Sequence, residues 1–439
     1  MALFVFSAFA ESIEAKKKTI SLIYANQWEE LIEPGISNFE KATGIKVDAI
    51  KVPPAVSLDE KLALDLAGGV ACDVIMVDSY RVPEFAEARY LLPLNEYVKG
   101  WPDWDSYYDS MKEIVEFEGT CYSIPIDTDV RMIWYSKPIF EKAGIPVPWE
   151  PKTWDDVLET AKTIKERCTE VDHPLYLPVG TKYGEATTMQ GFYMLLLGAD
   201  TPSHDRNRLR DWDEGKWIGK SPAILKALEF YRDVFVEYKL SLPDIYYTVD
   251  VWGDARRALL GGEIGMLFGG SWEFEEIWTA AGLTEEDMPS YEEKTAKIGW
   301  APVPGCGDPG APEITCISGG WTLAINADTK HPDECWELLK TIFAEENCKQ
   351  WIVGEGKIAT RRDIAESPEY QEDWYMVRAT VLLEYTTMRD TYPGYSMVSS
   401  FVQRATEDIL DGKSPEVAME NFYRNLVEEF GEKSVKTIS

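Results

Sequence analysis

The chain has 439 residues, more than the roughly 250–300 at which a single core stops growing, so two lobes or domains are expected. Its hydrophobic (45%) and charged (27%) fractions are those of a folded chain and exclude disorder for the bulk of it. With 44 Lys and Arg against 76 Asp and Glu, the net charge of −32 repels phosphate backbones and anionic lipid surfaces, which excludes nucleic acid as a partner.

In chain order, Leu3 to Phe9 is almost wholly apolar, Ala8-Phe9-Ala10 fits a small-x-small cleavage rule, and the chain turns polar and lysine-rich from Glu11. Residues 1–10 are therefore expected to be a signal peptide, with a mature product free in a periplasm-like space; a cytoplasmic chain opening on an apolar strand is the alternative. No cysteine follows the small residues, so a lipid anchor is not indicated. No other apolar run approaches the ~18 residues needed to span a bilayer.

The next hundred residues alternate in period. Strands are predicted over Ile20–Ala25, Ile45–Val52 and Asp73–Asp78, and helices over Trp28–Thr43, Leu58–Ala67 and Pro83–Arg89. Such alternation implies a parallel α/β sheet that receives ligands at the C-terminal ends of its strands. Helices follow over Lys137–Ala143, Trp154–Arg167, Ala186–Leu197, Pro222–Tyr238 and Val251–Leu260, with a strand at Ile264–Phe268. Residues 304–312 (PGCGDPGAP) are a loop by composition. A strand at Trp321–Asn326 and a helix over Asp333–Ile352 restore the alternation, and the chain from Asp363 reads as mostly helical.

Seven cysteines are scattered without a CxxC pair, and no cluster of cysteines and histidines has the spacing of a metal-ligand set, so no metal site is expected. Cys306 and Cys316 flank the Gly/Pro-rich loop and are placed to close it as a disulfide in an oxidising compartment, with free thiols as the alternative. Sixteen Trp and twenty-two Tyr supply flat apolar faces with one polar atom each, which suits a glycan. The familiar catalytic patterns are missing, and His173, His204 and His331 are far apart, so no enzyme is expected. Paired carboxylates forming a glycosidase site are the competing class. A ferric site on Tyr107/Tyr108 or Tyr246/Tyr247 is a third.

Phe39–Val47 (FEKATGIKV), Cys72–Asp78 (CDVIMVD), Leu91–Leu94 (LLPL), Tyr122–Asp127 (YSIPID), Ile133–Lys137 (IWYSK) and Thr153–Asp156 (TWDD) follow one another in an order and spacing that resembles the maltose-binding type of extracellular solute-binding protein. Gly262–Met266 (GEIGM), Gly270-Ser-Trp272, Gly319-Gly-Trp321 and Ala324–Ala327 (AINA) extend the likeness over nearly the whole chain. The resemblance implies an α/β, two-lobed periplasmic binding protein fold (type II) with discontinuous lobes joined by three crossovers, near Asp127–Arg131, Ile317–Gly319 and Ile358–Arg361. Lobe one would hold 11–127 and 320–357, and lobe two 128–319 and 358–439. It also implies high-affinity binding of a carbohydrate, an oligosaccharide first, by a monomer without cofactor, and delivery to a membrane-embedded ABC permease. An acidic sugar or sugar phosphate is the alternative cargo.

Sugar hydroxyls both give and take hydrogen bonds, so a site needs carboxylates, amides and guanidinium groups beside an aromatic platform. At the ends of the first and third strands Asn26, Gln27, Trp28 and Asp78, Ser79, Tyr80, Arg81 are candidates, against helix capping by Asn26 and Asp78 and a surface place for Trp28. Asp127 and Asp129 alternate along the first crossover, so at least one faces the cleft. Lobe two would add Tyr183 and Glu185 from the turn at 180–185, and Trp272, whose glycine neighbours are expected to bring the backbone close to a ligand. Trp321 and Arg361 complete the set at the later crossings.

Overall fold

A computed structural model of the protein describes residues 18–53, 57–199, 208–241, 243–284 and 286–438; the expected signal peptide, 1–10, lies outside the described residues. Two sheets organise the chain. The first has five strands in the order Lys46–Val52, Thr19–Ala25, Val74–Asp78, Trp321–Ile325 and Ser123–Pro125. Its first three strands run parallel, and Trp321–Ile325 runs antiparallel to both its neighbours. The central Val74–Asp78 segment is apolar on both faces and buried at its first four positions, as a strand covered by helices on both sides must be. The edge strand Lys46–Val52 instead alternates exposed and half-buried residues, and its lysines and aspartate keep the open edge from pairing with another chain.

The second sheet has four strands in the order Ile298–Ala301, Arg131–Ser136, Met266–Gly270 and Leu175–Tyr176. All six residues of Arg131–Ser136 are buried, and this strand is antiparallel to both neighbours. Beside it lies a three-stranded sheet in which Ile314–Ser318 pairs antiparallel with Val303–Pro304 and parallel with Thr386–Met388. Thr153 and Asp156 form a reciprocal capping box that starts the helix Trp154–Arg167, which fixes where this lobe's first long helix begins. No described helix is long and apolar enough to cross a membrane.

Several sequence expectations are corrected. The helix expected over 333–352 is two, Pro332–Ile342 and Glu345–Gly354, because the buried Asn347 amide donates to the carbonyls of Ile342 (2.7 Å) and Leu31 (3.0 Å) and so satisfies the end of the first helix. The helix expected over Pro222–Tyr238 is α-helical only to Arg232 and widens into a π-helical turn over Asp233–Glu237, and a second such turn occupies Thr187–Phe192. The strand expected at Ile264–Phe268 runs Met266–Gly270, which places Trp272 just past its end. The C-terminal part carries strands at Thr386–Met388 and Val435–Thr437 besides its helices. Cys316 is not joined to Cys306. The hairpin register pairs Pro304 with Ile314, so Cys306 falls beyond the paired stretch, while the buried Cys316 sulfur accepts from the Arg131 N–H at 3.3 Å.

The chain leaves the first sheet at Pro125 and enters the second at Arg131, then returns between Ser318 and Trp321. These connections are bonded to one another. The Thr128 and Ser318 hydroxyls meet at 2.8 Å, the Ser318 hydroxyl donates to the Asp129 carbonyl at 2.7 Å, and the Gly319 N–H donates to the Asp129 carboxylate at 3.1 Å. A third connection joins them where Ile358 bridges Thr128. Gly320 has φ +146°, and a Cβ there would lie 2.1 Å from the Asp127 carbonyl oxygen, so only glycine fits this crossing.

Candidate functional site

Between the two main sheets, beside the three connections, lies a cavity of about 640 Å³. Two of the parallel strands of the first sheet, Thr19–Ala25 and Val74–Asp78, end on its side, and each continues into a short 3-10 turn, Asn26–Trp28 and Ser79–Arg81. These turns bring Trp28 and Asp78 to the cavity wall together with Gln27, Asp127 and Trp321. The indoles of Trp28 and Trp321 meet at 5.1 Å. Asp127 orients both: it accepts from Trp28 Nε1 at 3.1 Å and from the Trp321 N–H at 2.7 Å. Burial pushes the Asp127 carboxyl above its ordinary range, opposed by the Trp321 N–H and the Lys357 charge.

The opposite wall comes from the second sheet and the helices around it. Trp272 follows the strand Met266–Gly270, and a Cβ on Gly270 would lie 2.1 Å from its ring. Gly270 thus makes room for the indole itself; the expectation that glycine there brings backbone to a ligand is replaced by this packing. Arg131 lies over the Trp272 ring at 5.0 Å and is ion-paired to Asp129. Burial pulls the Arg131 guanidinium down to about 9, and the charge of Arg389 adds to that. Trp252 extends the wall, with Arg256 5.7 Å from its ring and anchored by Glu273 at 2.7 and 3.0 Å.

Arg389 stands where the walls meet. It donates to Asp78, at the end of a first-sheet strand, at 2.8 Å and to Glu185 of the opposite wall at 2.9 Å, and lies 4.7 Å over the Tyr80 ring. Its side chain is 4% exposed. Although burial opposes it, the two carboxylates raise the guanidinium's affinity for its proton. Burial also pushes the Asp78 carboxyl up to about 6; Arg389 pulls it back, while Asp59 and Glu185 push further. Glu185 accepts from Arg389, Tyr395 and Ser399.

Of the residues singled out from sequence, the structure brings Gln27, Trp28, Asp78, Asp127, Asp129, Glu185, Trp272 and Trp321 to this cavity. The others lie off its walls. Asn26 is exposed, and Ser79 faces a neighbouring cavity. Tyr80 is packed against Tyr395 and bonded to Asp59. Arg81 turns to Asp59, Glu84 and Ser396. Tyr183 is buried among Tyr176, Tyr246 and Trp252, so it supports Trp252 from behind. Arg361, 1% exposed, is held by Asp363, Asp103 and the Phe343 carbonyl.

Sequence reasoning missed Gln190, Trp252, Arg256 and Arg389 as wall residues, while Trp28, beside Gln27 at the first strand's end, carried a signal and was among its candidates. Arg389 had none, because its position depends on Thr386–Met388 pairing with residues seventy places earlier. Together the wall presents four indoles and fixed acceptors and donors from both lobes, which suits a ring-shaped molecule with an apolar face and hydroxyl edges. Seven carboxylates and four cationic side chains line it.

A family model described as bacterial extracellular solute-binding protein matches residues 22–347. The fold is similar to that of an ABC transporter solute-binding protein from Thermotoga lettingae TMO bound with α-D-tagatose, with 27% identity, a TM-score of 0.76, and 93% of this chain and 100% of that one covered. It is also similar to the maltose-bound MalE3 of T. maritima, with 22% identity, a TM-score of 0.75, and 93% and 98% covered. An arabinooligosaccharide-binding protein of Halalkalibacterium halodurans is 28% identical over 182 residues, 39% of this chain and 40% of that one.

Proposed function

The chain belongs to the bacterial extracellular solute-binding protein family, and on that premise we propose that it binds a neutral carbohydrate between its lobes and hands it, chemically unchanged, to a membrane-embedded ABC permease. The observation that carries this reading is one space walled by Trp28 and Trp321 from one lobe and Trp252 and Trp272 from the other, with Asp127 and Asp129 anchored between them. Indole faces stack on the C–H faces of sugar rings, and the oriented carboxylates take hydroxyl protons. The T. lettingae relative bound with α-D-tagatose and the arabinooligosaccharide-binding relative support the same cargo class.

The excess of seven carboxylates over four cations on the wall opposes an acidic sugar or a sugar phosphate. Catalysis is disfavoured because the carboxylates set among the indoles are already engaged: Glu185 by three donors, Asp127 by two, Asp129 by Arg131 and the Gly319 N–H. A glycosidase needs one carboxyl free to give a proton and a second free to attack or activate water. Ligand contacts to both walls favour the closed arrangement over the open one, so differential affinity drives closure. The monomer is secreted to the periplasm, where the closed form docks on the permease. Among the described residues lobe one comprises 18–127 and 320 to about 362, a little beyond the expected 357, because Arg361 and Arg362 still bond to Asp103 and Tyr107; the remainder forms lobe two.

The test is a thermal-shift screen of neutral oligosaccharides, uronates and sugar phosphates, with chromatography of each mixture. A neutral saccharide at a hundred times its Kd adds about 2.7 kcal/mol of stability, and is recovered intact. Turnover of a saccharide, or a shift with phosphates alone, overturns the reading.

A further inference from the structure

A second cavity, of about 650 Å³, lies beside the first and also between the lobes. Its wall carries Phe117 from the first lobe and Tyr392 and Trp212 from the second, in mutual ring contact at 6.3 and 6.0 Å. Glu113, Glu116 and Arg208 add polar groups. The two cavities are nearly equal in volume, and among the described lining residues only Arg389 belongs to both. On one side of it are Asp78 and Gly320, on the other Ser79 and Ser318. The inter-lobe space is thus two chambers parted by the backbone of Asp78–Ser79 and Ser318–Gly320, joined where the Ser79 N–H donates to the Gly320 carbonyl at 3.0 Å, with Arg389 as the side chain they share.

That side chain is held in place from both sides. Glu185 fixes Arg389 to its own lobe, and Asp78 receives it from the other. A Cβ on Gly319 would lie 3.0 Å from its Nη2, so the guanidinium is also seated against the crossing backbone. The Asp78 contact exists only when the lobes are together, so the partition is completed by closure.

We propose that Arg389 is a length-determining residue: it confines the bound glycan to the tryptophan-walled chamber, and a chain that continues past it holds Asp78 and Arg389 apart and blocks full closure. This rests on the carbohydrate reading above. The main chamber is within the roughly 300–1,000 Å³ of ordinary small-molecule sites, so a short saccharide fills it. A longer one has a usable continuation, the rings of the second chamber, but reaches it only through the position that Arg389 occupies.

The test is a series of linear neutral oligosaccharides of increasing length, with affinity by calorimetry and compaction by small-angle scattering, on the wild-type chain and on Arg389→Ala. The wild type is expected to gain affinity up to a limiting length, then lose tenfold or more and fail to compact with longer chains. Arg389→Ala is expected to bring longer chains within threefold of the best short one and to restore compaction. If that variant does not fold, Arg389→Gln, which keeps a donor for Glu185 but is shorter, is read the same way. Asp78→Asn, which leaves the guanidinium in place, should keep the limit. Equal affinity and full compaction for long chains in the wild type, or a limit that Arg389→Ala leaves unmoved, overturns the partition while the carbohydrate reading stands. If no saccharide of any length binds, both fall.

Discussion

Arg361 and Arg389 have nearly the same surroundings and opposite positions. Each guanidinium is almost fully buried, lies between two carboxylates, and sits over a tyrosine ring, Tyr107 at 5.5 Å or Tyr80 at 4.7 Å. The partners differ in where they come from. Asp363 adjoins Arg361 in sequence, and Asp103 and the Phe343 carbonyl belong to the same lobe, so that cluster is internal bracing. Asp78 ends a strand of the first sheet and Glu185 comes from the opposite wall of the cavity, so under the proposed two-lobe closure the Arg389 cluster would change as the lobes part. A buried, paired arginine is by itself no sign of a binding site; what separates the two is whether the partners move relative to one another.

The largest expected effect that can break this comparison is Arg361→Ala. Removing one partner of a buried ionic cluster costs about 3–5 kcal/mol, so the urea midpoint should fall steeply while the folded fraction keeps its saccharide affinity. A parallel loss of affinity would put Arg361 in the site and erase the distinction. Next is the pH response of the Arg389 cluster. Asp78 titrates near 6 when folded against 3.8 ordinarily, so the folded chain holds this proton more tightly. Its contribution to stability is then full below pH 4 and is lost as pH rises through 6, on the order of 3 kcal/mol in all. Urea unfolding of the wild type and Asp78→Asn between pH 4 and 7 should show this as a difference in slope; parallel curves would refute it. The smallest is Trp272→Ala, which removes one stacking face and should weaken binding about tenfold, or ~1.4 kcal/mol. An unchanged calorimetric affinity would take Trp272 out of the site.

The first sheet was legible because its strands and helices alternate locally. Val74–Asp78 reads as a buried strand, and its end supplies Asp78; Trp28 sits where the first strand stops. The crossings supply Asp127, Asp129 and Trp321, which the likeness of YSIPID and Gly-Gly-Trp to a known family located. The second lobe was less legible. Leu175–Tyr176 has only two residues and Thr386–Met388 three, too few for a period to register, and their pairing with Met266–Gly270 and Ile314–Ser318 spans long stretches of chain. Arg361 was singled out because it lies near a crossing, and Arg389 was passed over because its segment looked helical. Proximity in sequence to a hinge and proximity in space to a cleft are separate properties. The π-helical turns Thr187–Phe192 and Asp233–Glu237 carry the same apolar spacing as α-helix over so few residues, so nothing in the pattern distinguishes them.

The bonds among the three connecting segments set how this molecule opens. Thr128 is tied to Ser318 and bridged to Ile358, and Gly319 is tied to Asp129, so the segments bend as one strap instead of three threads. Halves joined in this way would have little freedom to shear or twist, and the far rim of the mouth would travel most for a given bend. Asp78 and Arg389, set beside the crossing backbone, would part by a smaller stroke than the rim.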